Sequence, residues 1–165
     1  MDVRRAEQLD DVDALIIPGG ESTTIGKLAA RYEIIPKLRE RAAAGLPVWG
    51  TCAGAIFLSR EVPGHPHPLA ALMDITVERN AFGRQVDSFE ADLRVSELGD
   101  EPFHAVFIRS PKITRLGPGV RVLATLPDGT VVAARQGRLL ATSFHPELAG
   151  DPRFHEFFLS FAERF

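Results

Sequence analysis

The sequence predicts an α/β fold, a sheet flanked by helices with an antiparallel addition, and three observations carry that reading. An apolar run, Asp13-Ala14-Leu15-Ile16-Ile17, stops at Pro18-Gly19-Gly20, as a buried strand stops at a turn. A second run, Leu46-Pro47-Val48-Trp49, leads through Gly50-Thr51-Cys52-Ala53-Gly54 into Ile56-Phe57-Leu58, a strand, a sharp turn and a helix start. From Leu72 onward the texture changes to a succession of short strands. Strands alternating with helices and then a run of strands define the class.

Taken in order, the elements have local causes. After the first strand, Ser22 or Thr23 can cap a helix that runs through Ile25, Leu28 and Ala29. A second helix is expected from about Pro36 to Ala44, closed by Gly45 in the usual place of a left-handed cap. The elbow helix gives way to a polar, proline-rich loop, Pro63-Gly64-His65-Pro66-His67-Pro68. Strands are expected at Ile75 to Glu78, Leu93 to Val95, Ala105 to Ile108, Val120 to Leu126, Val131 to Ala134 and Leu139 to Phe144. Pro127-Asp128-Gly129 signals a hairpin between two of them. Asp151-Pro152 reads as an N-cap and an N1 proline opening a last helix. Its Phe154, Phe157, Phe158 and Phe161 share one face, which is expected to be core.

A chain of 165 residues suits one domain spanning 1–165. With 45% hydrophobic and 25% charged residues the composition is ordinary for a globular protein. The net charge of −3, with both signs interspersed, argues against nucleic-acid binding and against an anionic membrane surface. No apolar run approaches a membrane span, and the N-terminus lacks a signal-peptide core. The single cysteine excludes an intramolecular disulfide and suits a reducing compartment, so the cytoplasm is expected.

That cysteine is the candidate nucleophile. By itself a free cysteine is most often a small buried hydrophobe. Flanked by glycines at a strand-to-helix turn, Cys52 has the form of a nucleophile elbow with sulfur in place of oxygen, and the positive end of the helix favours its thiolate. A thiol nucleophile needs a base and then an acid, and His145 can serve as both near neutral pH. Glu147 is spaced to face the same side in an extended segment and would fix the imidazole tautomer. Near the first strand, Gly20 lets the backbone approach a ligand, and a backbone N–H there, with that of Ala53, can form an oxyanion hole. His65-Pro66-His67 has chelating spacing, but two ligands between prolines with no third predict no metal site. No phosphate-binding loop is present.

Five segments together are similar to one family. They are Pro18-Gly19-Gly20-Glu21-Ser22-Thr23-Thr24-Ile25, Gly50 to Gly54, Val77-Glu78-Arg79-Asn80-Ala81-Phe82-Gly83-Arg84-Gln85, Val106-Phe107-Ile108-Arg109 and Ser143-Phe144-His145-Pro146-Glu147-Leu148. The chain resembles the glutaminase subunit of the pyridoxal 5′-phosphate synthase complex, a class I (triad) glutamine amidotransferase with a flavodoxin-like α/β fold and a mostly parallel sheet. The elbow and the His-x-Glu are shared by the whole class, whereas the first and third segments single out this subfamily. The resemblance implies a Cys52–His145–Glu147 triad that hydrolyses L-glutamine to glutamate and ammonia through a thioester. It also implies that Gly20, Glu21, Ser22, Arg79, Ile108 and Arg109 hold the glutamine. A guanidinium suits the α-carboxylate and an acid the α-ammonium, with the pairing left open at this point. No bound cofactor is implied, and the implied partner is the ring-forming synthase subunit that receives the ammonia.

The family begins with a further strand and helix opening on a Leu-Gln-Gly motif, roughly thirty residues by the size of a βα unit. This sequence starts at what would be the second strand, so the first strand and helix are expected to be missing, through a start set too late or a truncation. The alternatives are a truncated subunit acting only as a binding module, a class I glutaminase of another pathway, and an unrelated cysteine hydrolase.

Overall fold

The computed structural model describes residues 1–79 and 88–162. Ten strands, four α-helices and three short 3-10 turns are seen among the described residues. In chain order they are β1 (Leu15–Ile17), α1 (Ser22–Arg31), α2 (Ile34–Ala43), β2 (Val48–Thr51), α3 (Ala53–Leu58), β3 (Ser59–Glu61), β4 (Met73–Glu78), β5 (Ser88–Leu93), β6 (Phe103–Ile108), β7 (Lys112–Leu116), β8 (Arg121–Thr125), β9 (Val131–Gln136), β10 (Leu139–Thr142) and α4 (Arg153–Leu159). The main sheet runs β1-β2-β10-β9-β7-β4-β3, β8 pairs with β9, and β5 and β6 form a separate ribbon.

The sheet joins two kinds of pairing. β1, β2 and β10 are parallel neighbours, with Ile17 beside Gly50 and Gly50 beside Ala141. From β10 onward β9, β7 and β4 pair antiparallel, and β8 returns on β9 through the expected Pro127-Asp128-Gly129 hairpin. The parallel strands therefore end together, and in such sheets ligands bind at the carboxyl ends of the strands. Pro18, Cys52 and Ser143 follow β1, β2 and β10 at that end.

Strand alternation sends neighbouring residues to opposite faces, and each face has its own core. Val48 and Ala141 join Leu9, Ile35, Leu38, Phe57 and Leu58 beneath α1, α2 and α3. Trp49 and Leu140 point the other way, into an aromatic cluster with Phe103, Phe107, Phe144, Phe154, Phe158 and Phe161. Phe144 and Phe154 meet edge-on at 5.3 Å, a favoured aromatic geometry. The indole N–H of Trp49 donates to Thr142 Oγ1 at 3.0 Å, so its one polar atom is satisfied inside the core. The phenylalanine face of α4 is core, as its spacing predicts, with Phe157 partly exposed at its margin.

Several local expectations shift by a definite cause. The cap of α1 is Glu21, whose carboxylate accepts from the Thr23 and Thr24 N–H groups; Ser22 and Thr23 lie inside the helix. α2 ends in a Schellman motif, with Gly45 N–H donating to Ala42 and Leu46 N–H to Arg41, and Gly45 takes φ +105°. The last helix begins at Arg153 and not at Pro152, although Asp151 Oδ1 still accepts from the Arg153 N–H at 3.0 Å. β5 covers Ser88–Leu93, upstream of the expected Leu93 to Val95. Strands β3 and β7 have no counterpart among the expected elements.

No helix among the described residues is long and apolar enough to cross a membrane.

Candidate functional site

The elbow follows from close packing. A side chain on Gly54 would strike the Ile17 carbonyl of β1, and one on Gly50 the Gly54 carbonyl. Only glycine lets α3 start this close to β1 and β2. Between them Cys52 is driven to φ +51°, ψ −108°, a conformation a side-chain-bearing residue adopts only when its surroundings fix it. They do. Its N–H donates to Thr142 O on β10 at 2.8 Å, and its carbonyl accepts from Ala55 N–H at 3.0 Å. The thiol is buried at the N-terminal end of α3, with Sγ 3.7 Å from the Ile108 carbonyl.

His145 and Glu147 follow β10. His145 Nδ1 lies 2.7 Å from Glu147 Oε1, and the imidazole side chain is 15% exposed against 49% for the carboxylate. The pair meets for a reason other than strand alternation. His145 precedes a 3-10 turn, Pro146–Leu148, and the turn folds Glu147 back onto the ring. The backbone N–H of His145 is tied to Val106 O on β6 at 2.9 Å, which fixes the ring's origin. A hydrogen bond with Cys52 and a further one with Glu147 push the His145 pKa up to about 9, against the opposing effect of burial. Near neutral pH the ring is an imidazolium between two acidic groups.

Of the two loop glycines, Gly19 is the one in contact with these groups. A methyl group there would lie 2.6 Å from His145 Cε1 and 3.5 Å from Cys52 Cβ. Gly20 has φ +145° and open space on its side-chain position. The Pro18-Gly19-Gly20 turn is expected at the site with Gly20 as its ligand-facing residue, and it is Gly19 of that doublet that packs on the Cys52–His145 pair.

The remaining expected residues approach from three directions. Ser22 is buried at the start of α1, and Glu21 caps it. Ile108 ends β6 and Arg109 follows it, Ile108 touching the thiol through its carbonyl and Arg109 turning at φ +46°. Arg79 follows β4, with one guanidinium nitrogen 3.8 Å from Glu21 Oε1 and another 3.0 Å from His65 Nδ1. Asn80 to Gln85 of the third family segment lie outside the described residues. His65 and His67 pack edge-on with ring centroids 5.2 Å apart.

A thiol on a strand-to-helix elbow, facing a histidine that is itself held by a carboxylate, is the layout of a nucleophilic acyl-transfer site on an α/β sheet. The chain belongs to the SNO glutamine amidotransferase family, whose model matches residues 1–164. It is 60% identical over 162 residues to pyridoxal 5′-phosphate synthase subunit PdxT of Herpetosiphon aurantiacus, covering 96% of this chain and 85% of the relative. Against the PdxT of Pelotomaculum thermopropionicum it is 59% identical over 157 residues, covering 95% and 80%. A solved structure, a crystal structure of glutamine amidotransferase, superposes with a TM-score of 0.92 at 55% identity, covering 98% of this chain and 85% of the other.

Proposed function

We propose that this chain is the glutaminase subunit of a pyridoxal 5′-phosphate synthase, acting as one catalytic domain in the cytoplasm and passing ammonia to the synthase subunit for vitamin B6 biosynthesis. Family membership and the PdxT relatives support the pathway. The strained Cys52 facing the His145–Glu147 pair carries the chemistry.

In this reading the Cys52 thiolate adds to the side-chain amide carbon of L-glutamine. The C=O electron pair moves onto oxygen, where the Gly20 and Ala53 N–H groups receive the oxyanion. His145, already an imidazolium, gives its proton to the amide nitrogen as the C–N bond breaks, and ammonia leaves. The thioester remains, with His145 neutral and Glu147 holding its tautomer. Water then adds to the thioester while giving a proton to His145. Collapse breaks the C–S bond, releases glutamate and returns the Cys52 thiolate beside an imidazolium. Arg79 and Arg109 supply forked donors suited to the α-carboxylate, and Glu21 an acid suited to the α-ammonium, with Ser22 and the Ile108 backbone as the further proposed glutamine contacts.

The test is ammonia release from glutamine with the synthase subunit present. Wild type should release ammonia and Cys52→Ala should not. A glutamine-analogue electrophile should add one equivalent to Cys52. Silence of both proteins, together with no labelling of Cys52, sinks the proposal.

A further inference from the structure

The loop between β3 and β4 brings a histidine against Arg79, and the loop is firmly held. Ala70 and Leu72 N–H groups donate to Phe57 and Leu58 on α3. Arg39 reaches across from α2 to the Ala70 carbonyl at 2.8 Å and the Leu69 carbonyl at 3.2 Å. A side chain on Gly26 of α1 would strike the Pro68 carbonyl, so α1 and the loop touch backbone to backbone. Prolines 63, 66 and 68 stiffen what those contacts anchor. His65 thus stands on a fixed platform, half-buried, with Nδ1 3.0 Å from the Arg79 guanidinium.

A guanidinium only donates, so the ring nitrogen it meets must be the acceptor. The proton of neutral His65 therefore sits on Nε2, which is shielded from solvent and has no hydrogen-bond partner among the described residues. Burying that N–H has a cost, set against what Nδ1 does for Arg79. An arginine side chain is long and loses much rotamer freedom when ordered, and a fixed acceptor on one nitrogen plus Glu21 at 3.8 Å from another sets the direction of the fork.

We propose that His65 is a positioning residue: its neutral Nδ1 aims the Arg79 guanidinium, beside Glu21, at the carboxylate of the amino-acid substrate. The assignment rests on the reading of Arg79 as a glutamine ligand. It adds an acid-sensitive element on the binding side of the site. Burial first, then the charges of Arg79 and His67, push the His65 pKa below the ordinary histidine range, and among the described residues Glu21 opposes them. At neutral pH the ring is an acceptor. Protonated, it becomes a second cation against the guanidinium, and Arg79 is turned away.

The experiment is a comparison of kcat and KM for glutamine, in complex with the synthase subunit, for wild type, His65→Leu, His65→Asn and Arg79→Gln across about pH 5 to 8. Asn places an amide oxygen where Nδ1 was and does not titrate. For His65→Leu, KM should rise roughly tenfold with kcat changed less than about twofold, as expected for a lost hydrogen bond to a charged group. His65→Asn should recover most of that loss. Wild-type KM should climb on acidification, and the climb should vanish in His65→Asn. Arg79→Gln raising KM while His65→Leu leaves it unmoved overturns the role of His65 and spares that of Arg79. Leu and Asn variants with the same KM also overturn it, since a purely structural ring would not distinguish them. An unmoved KM in Arg79→Gln removes the assignment of Arg79, and the proposal with it.

Discussion

On the nucleophile side, Cys52 is fixed by regular structure: β2 ends beneath it, α3 begins above it, and β10 accepts its N–H at 2.8 Å. On the proposed binding side, Glu21, His65 and Arg79 meet from a helix start, a loop and a strand end, and their contacts are between side chains. The first arrangement is held by the sheet core itself, so disturbing it disturbs the fold. The second is held by individual polar contacts of partly exposed groups, each weak and each sensitive to charge. In the proposed function, chemistry that needs sub-ångström placement falls to the rigid side, and recognition, which tolerates small adjustment, to the other.

The largest effects should come from the rigid side. Cys52→Ala removes the attacking atom and should lower glutamine hydrolysis on the order of 10⁴-fold or more in the complex, while the chain still folds. Gly54→Ala should do the opposite and act on folding. The new methyl group has the Ile17 carbonyl in its place, so a loss of about 3 kcal/mol is expected in chemical denaturation. If Gly54→Ala keeps full stability, the elbow is softer than its packing indicates and the contrast between the two sides fails.

A smaller effect tests what holds His145. Its pKa of about 9 has the hydrogen bond with Cys52 as the larger raising cause and that with Glu147 as the next. An NMR titration should therefore show a greater fall in Cys52→Ala than in Glu147→Gln. The sign for stability follows from a folded pKa above the unfolded value near 6.5. The contribution is complete below about pH 6.5 and is lost as pH rises through 9, and in Cys52→Ala that alkaline loss should shrink. In the complex, Glu147→Gln should cost roughly 10- to 100-fold in kcat through a misplaced tautomer.

The same contrast explains what could be read from the sequence. The elbow was legible in Gly50-Thr51-Cys52-Ala53-Gly54 because steric need dictates the residues at each place. The parallel strands were legible as apolar runs: β2 is buried on both faces, and β1 keeps the apolar run although Ile16 is exposed. The His145–Glu147 pair was found on a mistaken local argument: a spacing of two suits a strand, but the contact is made by a 3-10 turn that Pro146 begins. Strands β3 and β7 went unread because Ser59-Arg60-Glu61 and Lys112-Ile113-Thr114-Arg115-Leu116 carry the charges of partly exposed strands. Glu21 was expected as a ligand and not as a cap because glutamate is outside the usual capping set of Ser, Thr, Asp and Asn. Nothing in the sequence near His65 pointed to Arg79, fourteen residues on; that contact exists only once β4 and its preceding loop are folded.

The smallest expected effect is also the most local. Glu21 holds the Thr23 and Thr24 N–H groups, the Thr24 hydroxyl and, at longer range, Arg79. These backbone hydrogen bonds, that of Thr23 first, hold its carboxyl below the usual glutamate range. Its contribution is therefore present above the unfolded pKa near 4.5 and is lost as pH falls through the lower folded value. In Glu21→Ala the amides of Thr23 and Thr24 should exchange hydrogen faster at neutral pH, whereas that of Cys52, bonded to Thr142 in the sheet, should keep its protection. Acidifying wild type should lower the protection of the same two amides, measured against their intrinsic exchange rates, and spare the same third. Equal acceleration at all three would mean that the cap of α1 and the elbow open as one unit, and the two sides of the site would not be mechanically separate.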